Sequence, residues 1–166
     1  MLRGDDNKSE SFQVTSPYST VIRDNQPAFR WTALSGASSY TVSVYDANLN
    51  LIATSAPLTA TEWLAPDPLK QGKVYTWIVT ALKDGKEILA PTLSARAEFK
   101  IIESSELLQL NRRIGQIHSG AARGALYAKA GLLDDAEREF QRHLMIYPTD
   151  EQVNKLFQTI KSWREP

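Results

Sequence analysis

The chain has 166 residues, no cysteine, and nineteen basic side chains against nineteen acidic ones. Without cysteine there are no disulfides, thiolate metal sites or thiol nucleophiles. With charge cancelled in either half there is no electrostatic footprint of a nucleic-acid binder or a membrane-surface helix. No run approaches the ~18 apolar residues of a membrane span. Near residue 103, Thr, Ser, Val, Tyr, Trp and Pro give way to Leu, Ala, Glu, Gln, Lys and Arg. That shift predicts two small modules, a strand-forming one before a helix-forming one.

Residues 1–11 are polar and charged, with nothing to bury, and are expected to form a flexible lead-in. Strand patterning starts where Phe12 and Val14 alternate with polar neighbours, until Ser16-Pro17 interrupts. From Pro27 to Leu34, Phe29 and Trp31 share one face and Arg30 and Thr32 the other, before a turn at Ser35-Gly36. Tyr40, Val42 and Val44 then alternate with Thr41, Ser43 and Tyr45. Asp46-Ala47-Asn48 turns the chain into a run from Leu49 to Thr54, which is hairpin patterning. A short strand at Glu62-Trp63-Leu64 precedes Pro66 and Pro68, and Val74 to Leu82 groups Tyr75, Trp77, Val79 and Ala81. Beyond Asp84-Gly85 lies a long connection carrying Ile88, Leu89 and Pro91. A last strand, Ala97 to Ile102, turns Phe99 and Ile101 inward. Seven short strands separated by turns predict an antiparallel sandwich, with a barrel as the alternative.

The run Leu69-Lys70-Gln71-Gly72-Lys73-Val74-Tyr75-Thr76-Trp77-Ile78-Val79-Thr80-Ala81 resembles the penultimate-strand signature of fibronectin type III domains. Gly36-Ala37-Ser38-Ser39-Tyr40-Thr41-Val42 resembles that family's turn into its third strand. The resemblance covers residues 12–103 and implies an immunoglobulin/fibronectin III-like sandwich. In it Trp31 is the core tryptophan of the second strand, and Tyr75 forms a corner by bonding nearby backbone. Arg3-Gly4-Asp5, an adhesion-type tripeptide, falls in the lead-in and is read as a chance occurrence. Period-two geometry sends Tyr45, Ile78, Ile102 and Ile52 outward. Such a patch suits a partner or the helices that follow, and docking of the helices is the expectation.

After Ser104 and Ser105, candidate N-caps, Leu107, Leu110, Ile114 and Ile117 recur at helical spacing and predict a helix to about His118. Gly120 interrupts or kinks the pattern, and a second helix runs through Ala121, Ala125, Leu126 and Ala130 to Gly131, which ends it. Asp134 with Glu137 reads as a capping box for a third helix, buried along Leu133, Ala136, Phe140 and Leu144 and stopped by Tyr147-Pro148. Thr149 with Gln152 caps a fourth, with Val153, Leu156, Phe157, Ile160 and Trp163 inside.

Gly124, Tyr127, Gly131, Ala136, Phe140 and Pro148 resemble one tetratricopeptide repeat of ~34 residues. The resemblance implies antiparallel helices brought close by Gly124 and Ala136, with Tyr127 and Phe140 filling the space between. It departs at Gly120, where the family has a large aromatic, and at Arg123, where it has Leu. Since repeat arrays need about three units for a continuous core, the first and fourth helices are expected as caps of a small four-helix bundle over 104–166. The ligand-facing side of such a repeat maps onto His118, Ala121, Ala125, Ala128 and Lys129. Three alanines make a poor carboxylate clamp and suggest that another helix, from this chain or a second copy, lies there.

Catalysis needs a nucleophile, a base and an orienting group within reach of one another. The histidines are His118 and His143, 25 residues apart and without metal-ligand spacing. His143 is expected to be partly buried packing. Asp134 and Asp135 sit at a helix start, where carboxylates favour the dipole, and no glycine-rich phosphate loop follows a strand. No catalytic, cofactor or metal residue is assigned. The resulting reading is a non-enzymatic protein–protein interaction or scaffold module, with contacts at His118, Ala121, Ala125, Lys129, Tyr45 and Ile78. Its partner is another protein or a second copy of the chain, with neither nucleic acid nor membrane insertion involved. The combined resemblances imply a bacterial, extracytoplasmic setting. Trp63 and Tyr18, as a sugar-stacking platform, define the alternative: an accessory carbohydrate-binding module of a larger cell-wall or polysaccharide enzyme.

Overall fold

The computed structural model describes residues 12–90 and 97–164; the expected lead-in, Arg3-Gly4-Asp5 and Pro91 lie outside them. The strands are β1 (Val14–Ser16), β2 (Thr20–Ile22), β3 (Ala28–Trp31), β4 (Ser39–Asp46), β5 (Leu51–Thr54), β6 (Glu62–Leu64), β7 (Val74–Lys83), β8 (Lys86–Ala90) and β9 (Ala97–Ile101). They form one sheet ordered β1-β3-β6 and a second ordered β2-β9-β7-β4-β5, with β8 also on β7. Burial alternates along β4 and β7, so that Tyr40, Val42, Val44, Tyr75, Trp77 and Val79 meet Phe29 and Trp31 of the smaller sheet in one core. Phe29 lies 5.1 Å from Trp77 and 5.8 Å from Phe99, centroid to centroid and edge on, which locks the facing sheets together. Tyr75 makes the expected corner, its hydroxyl accepting from the Lys70 N–H at 2.9 Å and donating to the Lys70 carbonyl at 3.2 Å.

Among the described residues there are nine strands rather than the expected seven. β2 and β8 are the additions. At the cis Ser16-Pro17 bond the chain leaves β3 and joins the other sheet as β2, parallel to β9. The Trp77 Nε1–H donates to the Pro17 carbonyl at 2.8 Å and so holds this crossover. β8 occupies part of the expected long connection. Asp84 and Gly85, both at positive φ, form a two-residue hairpin of the kind that matches strand twist. β8 then pairs with the Val79–Lys83 portion of β7, and β9 with the Val74–Trp77 portion. Ile88 packs against the core, which accounts for apolar residues in that segment.

Four helices follow among the described residues: α1 (Ser104–Ile114), α2 (Gly120–Lys129), α3 (Leu133–Ile146) and α4 (Glu151–Ser162). Their starts differ from those expected. Glu103 is the N-cap of α1 without a side-chain bond, and the Ser104 hydroxyl donates to the Gln71 side chain instead of capping. Gly120 opens α2 rather than kinking a helix, under a Ser119 cap whose hydroxyl accepts from the Ala122 N–H at 3.3 Å. His118 therefore lies in a connector, since α1 stops at Ile114. Leu132 precedes α3, so Asp134 forms no capping box. Asp150, not Thr149, caps α4, its carboxylate accepting from the Val153 N–H at 3.0 Å.

Helices α2 and α3 run antiparallel, with Gly120 beside His143 and Gly124 beside Phe140. A Cβ on Gly124 would stand 2.5 Å from the Phe140 ring, so only hydrogen permits this approach. Tyr127, Ala136 and Phe140 fill the interior, and Leu110, Leu133, Val153 and Ile160 close a second core. In α4 the expected stripe is turned: Val153, Phe157 and Ile160 face in, while Leu156 and Trp163 are 45% and 58% exposed. At 100° per residue the last two fall roughly 70° and roughly 90° from the stripe's centre. Among the described residues no helix is long and apolar enough to cross a membrane.

Candidate functional site

The two cores meet at an edge strand. Val21 and Ile102, from the β part, pack into the helical core. The Val21 N–H donates to the Gly131 carbonyl at 2.8 Å, and Thr20 Oγ1 accepts from the Leu133 N–H at 3.1 Å. Gly131 has φ +77°, and a Cβ on it would lie 2.8 Å from Val21 Cγ2, so the turn and the close approach both call for glycine. Arg23 spans the same junction, 2.6 Å from Asp135 and 5.4 Å from the Tyr127 ring centroid. Arg164 donates to the Tyr18 carbonyl at 3.0 Å while pairing with Asp134 at 2.7 Å and Glu137 at 3.1 Å.

The helices thus seat on β2 and the end of β9, which corrects the expectation that they cover the outer sheet face. Of the outward residues only Ile102 is buried beneath them. Tyr45 and Ile78 are half-buried and Ile52 is 47% exposed. Cross-strand register places Tyr45 opposite Thr76, Ser43 opposite Ile78, and Leu89 opposite Thr80. These side chains share one outer surface.

The acids of α3 are bound to arginines. Asp135 accepts from Arg23 and Arg138, and buried Glu139 from Arg123 at 2.9 Å and Arg142 at 3.1 Å. That pairing gives Arg123 its role, since a buried carboxylate needs a cation beside it. Asp134 and Asp135 also complement the dipole in the first turn of α3. Among the described residues no group of three or more His, Asp or Glu is gathered as metal ligands would be.

His143 is largely buried, with Nε2 2.8 Å from Asp150 Oδ2 and its ring 5.0 Å from that of Tyr147. The Val153 N–H, and after it His143, hold the Asp150 carboxyl below its ordinary value of 3.8. For a depressed carboxylate the stabilisation is complete above the unfolded value and lost as pH falls through the lower folded one. Protection of the Val153 amide from hydrogen exchange should therefore be flat from neutrality to about pH 5 and fall only in stronger acid. Asp150→Asn should remove that acid dependence.

The expected contact residues do not form one surface. Tyr45 and Ile78 lie on the outer sheet face, while His118, Ala125 and Lys129 are exposed on the helical part. Ala121 is half-buried and packs into the helical core, so the chain itself takes up its face. Lys129 lines a cleft of about 420 Å³ between α1, α2 and β9, together with Lys100 and Arg113. Of those two partners, Arg113 reads from sequence, with Arg112, as part of a solvated helix face, and Lys100, an outward position of the last strand, carries no signal of a site. Trp63 packs on Phe29, centroids 5.5 Å apart, and Tyr18 packs against the same core. Both are half-buried, so each commits part of its ring to the core.

No protein-family profile matches the chain, and no curated protein does. Among solved structures the chain is similar to a Fn3-like protein from Clostridium thermocellum, at 24% identity over 52% of this chain and 90% of that one, TM-score 0.39. It is also similar to CopC from Methylosinus trichosporium OB3b, at 17% identity over 55% of this chain and 94% of that one, TM-score 0.39.

Proposed function

We propose that the chain is a non-enzymatic protein–protein interaction module in which a fibronectin type III-like domain, 12–103, carries a tetratricopeptide-like helical domain, 104–166, as one platform. The observation that carries this reading is the junction. The backbone bond at Val21, the Arg23–Asp135 ion pair and the Arg164–Tyr18 hydrogen bond fix the helices at β2, and Tyr45, Ile78 and Leu89 stay half-buried and Ile52 exposed on the sheet. An apolar patch of that kind is what a partner protein buries. The use of Asp135, Glu139 and His143 in pairs that hold helices in place supports a binding role over a chemical one. The Gly124–Phe140 approach and the Gly131 turn support the tetratricopeptide-like reading, since they are what the resemblance asks of those positions. An extracytoplasmic, bacterial setting rests on the combined resemblances, and fractionation of cells expressing the full-length gene tests it.

Affinity capture with the wild-type chain and a Tyr45→Glu/Ile78→Glu variant tests the function. The expected result is a protein retained by the wild type and lost by at least about tenfold in the variant, with unchanged circular dichroism. Retention of no protein by the wild type refutes the reading.

A further inference from the structure

We infer that the cleft between α1, α2 and the end of β9 binds an acidic peptide segment carrying an apolar side chain; this rests on the protein-binding reading and gives it a second site. Lys100 from β9, Arg113 from the last turn of α1 and Lys129 from the last turn of α2 converge on the cleft, against one lining acid, Glu106. Among the described residues none of these three cations holds an ion pair, whereas Arg23, Arg123, Arg138, Arg142 and Arg164 each hold a carboxylate. On a chain whose formal charges cancel, three unpaired cations around one concavity make a local positive field that favours an anionic partner.

The floor adds a second requirement. Ile102, Leu110 and Leu126 are buried there, so the base of the cleft is aliphatic. A leucine-sized side chain fits that floor with carboxylates on either side of it facing the rim, and Gln109 supplies an amide for the bound backbone. Nucleic acid fits the same charges less well. No aromatic ring lines the cleft to stack on a base, and three cations neutralise few phosphates.

Fluorescence anisotropy on the intact chain tests this with three labelled probes: a glutamate-rich peptide with interspersed leucines, the same peptide with alanine for leucine, and a single-stranded oligonucleotide of equal charge. The leucine peptide should bind, more weakly as salt rises, and the alanine version should bind about tenfold more weakly. Arg113→Glu with Lys129→Glu, both exposed positions, should lower affinity about tenfold or more without changing the circular dichroism spectrum. The proposal is overturned if the leucine peptide fails to bind at low salt, if the charge variant binds like the wild type, or if the oligonucleotide binds as tightly as the peptide. Capture of a protein that depends on Tyr45 and Ile78, with no peptide binding at the cleft, would remove the cleft and leave the protein-binding reading standing.

Discussion

Trp77→Ala should lower folding stability by about 3–5 kcal/mol, the range for deleting a large aromatic from a core that cannot collapse around the gap. Trp77 is fully buried, packs edge on against Phe29, and is crossed by strands on both sides. The more informative variant is Trp77→Phe. It keeps a ring in place but removes the indole N–H, leaving the Pro17 carbonyl without its donor, at about 1–3 kcal/mol. Pro17 stands where the chain passes into β2, so the loss should travel to the helices seated on that strand. Urea denaturation reads the stability, and hydrogen exchange at the Val21 amide reads the coupling. If that amide exchanges no faster in Trp77→Phe than in the wild type, the crossover does not support the junction.

Gly131→Ala should be nearly as damaging, at about 2–5 kcal/mol, because two costs add. An alanine in the left-handed region costs about 1–2 kcal/mol, and a methyl 2.8 Å from Val21 Cγ2 forces an overpacked contact worth about 1–3 kcal/mol. Gly85 separates them, since it has φ +73° but a methyl there would meet nothing within 4 Å. Gly85→Ala should therefore show the conformational cost alone. Combining Gly131→Ala with Val21→Ala should recover part of the contact cost, and a double-mutant cycle measures it. Equal losses for Gly131→Ala and Gly85→Ala would show that the turn does not press on β2.

These two residues also mark the limit of what is legible in the amino-acid order. β4 and β7 alternate through several periods, so Tyr40, Val42, Val44, Tyr75, Trp77 and Val79 are readable as inward and are buried. Gly124 and Phe140 are readable because a small residue facing a large one leaves a trace of size. β2 has three residues, too few for a period, and its parallel pairing with β9 joins segments nearly eighty positions apart. Helix caps are ambiguous for a related reason. Thr149 and Asp150 are both suitable chemically, and the His143 side chain is what holds Asp150 in place. At the candidate site, Lys129 is readable as exposed from its helical position. Its convergence with Lys100 and Arg113 depends on where α1 comes to rest, which no local pattern encodes.

As the last strand of its sheet, β2 would otherwise offer its free backbone to any extended segment in solution. The Gly131 carbonyl takes up the Val21 N–H from within the molecule, and the Leu133 N–H bonds the Thr20 hydroxyl beside it. The helices are thereby a stopper against strand-to-strand stacking. A β part cut off after residue 103 would carry an open border and tend to precipitate or self-associate through it. The opposite border, β5, has its own guard in the irregular register against Val44 and Tyr45.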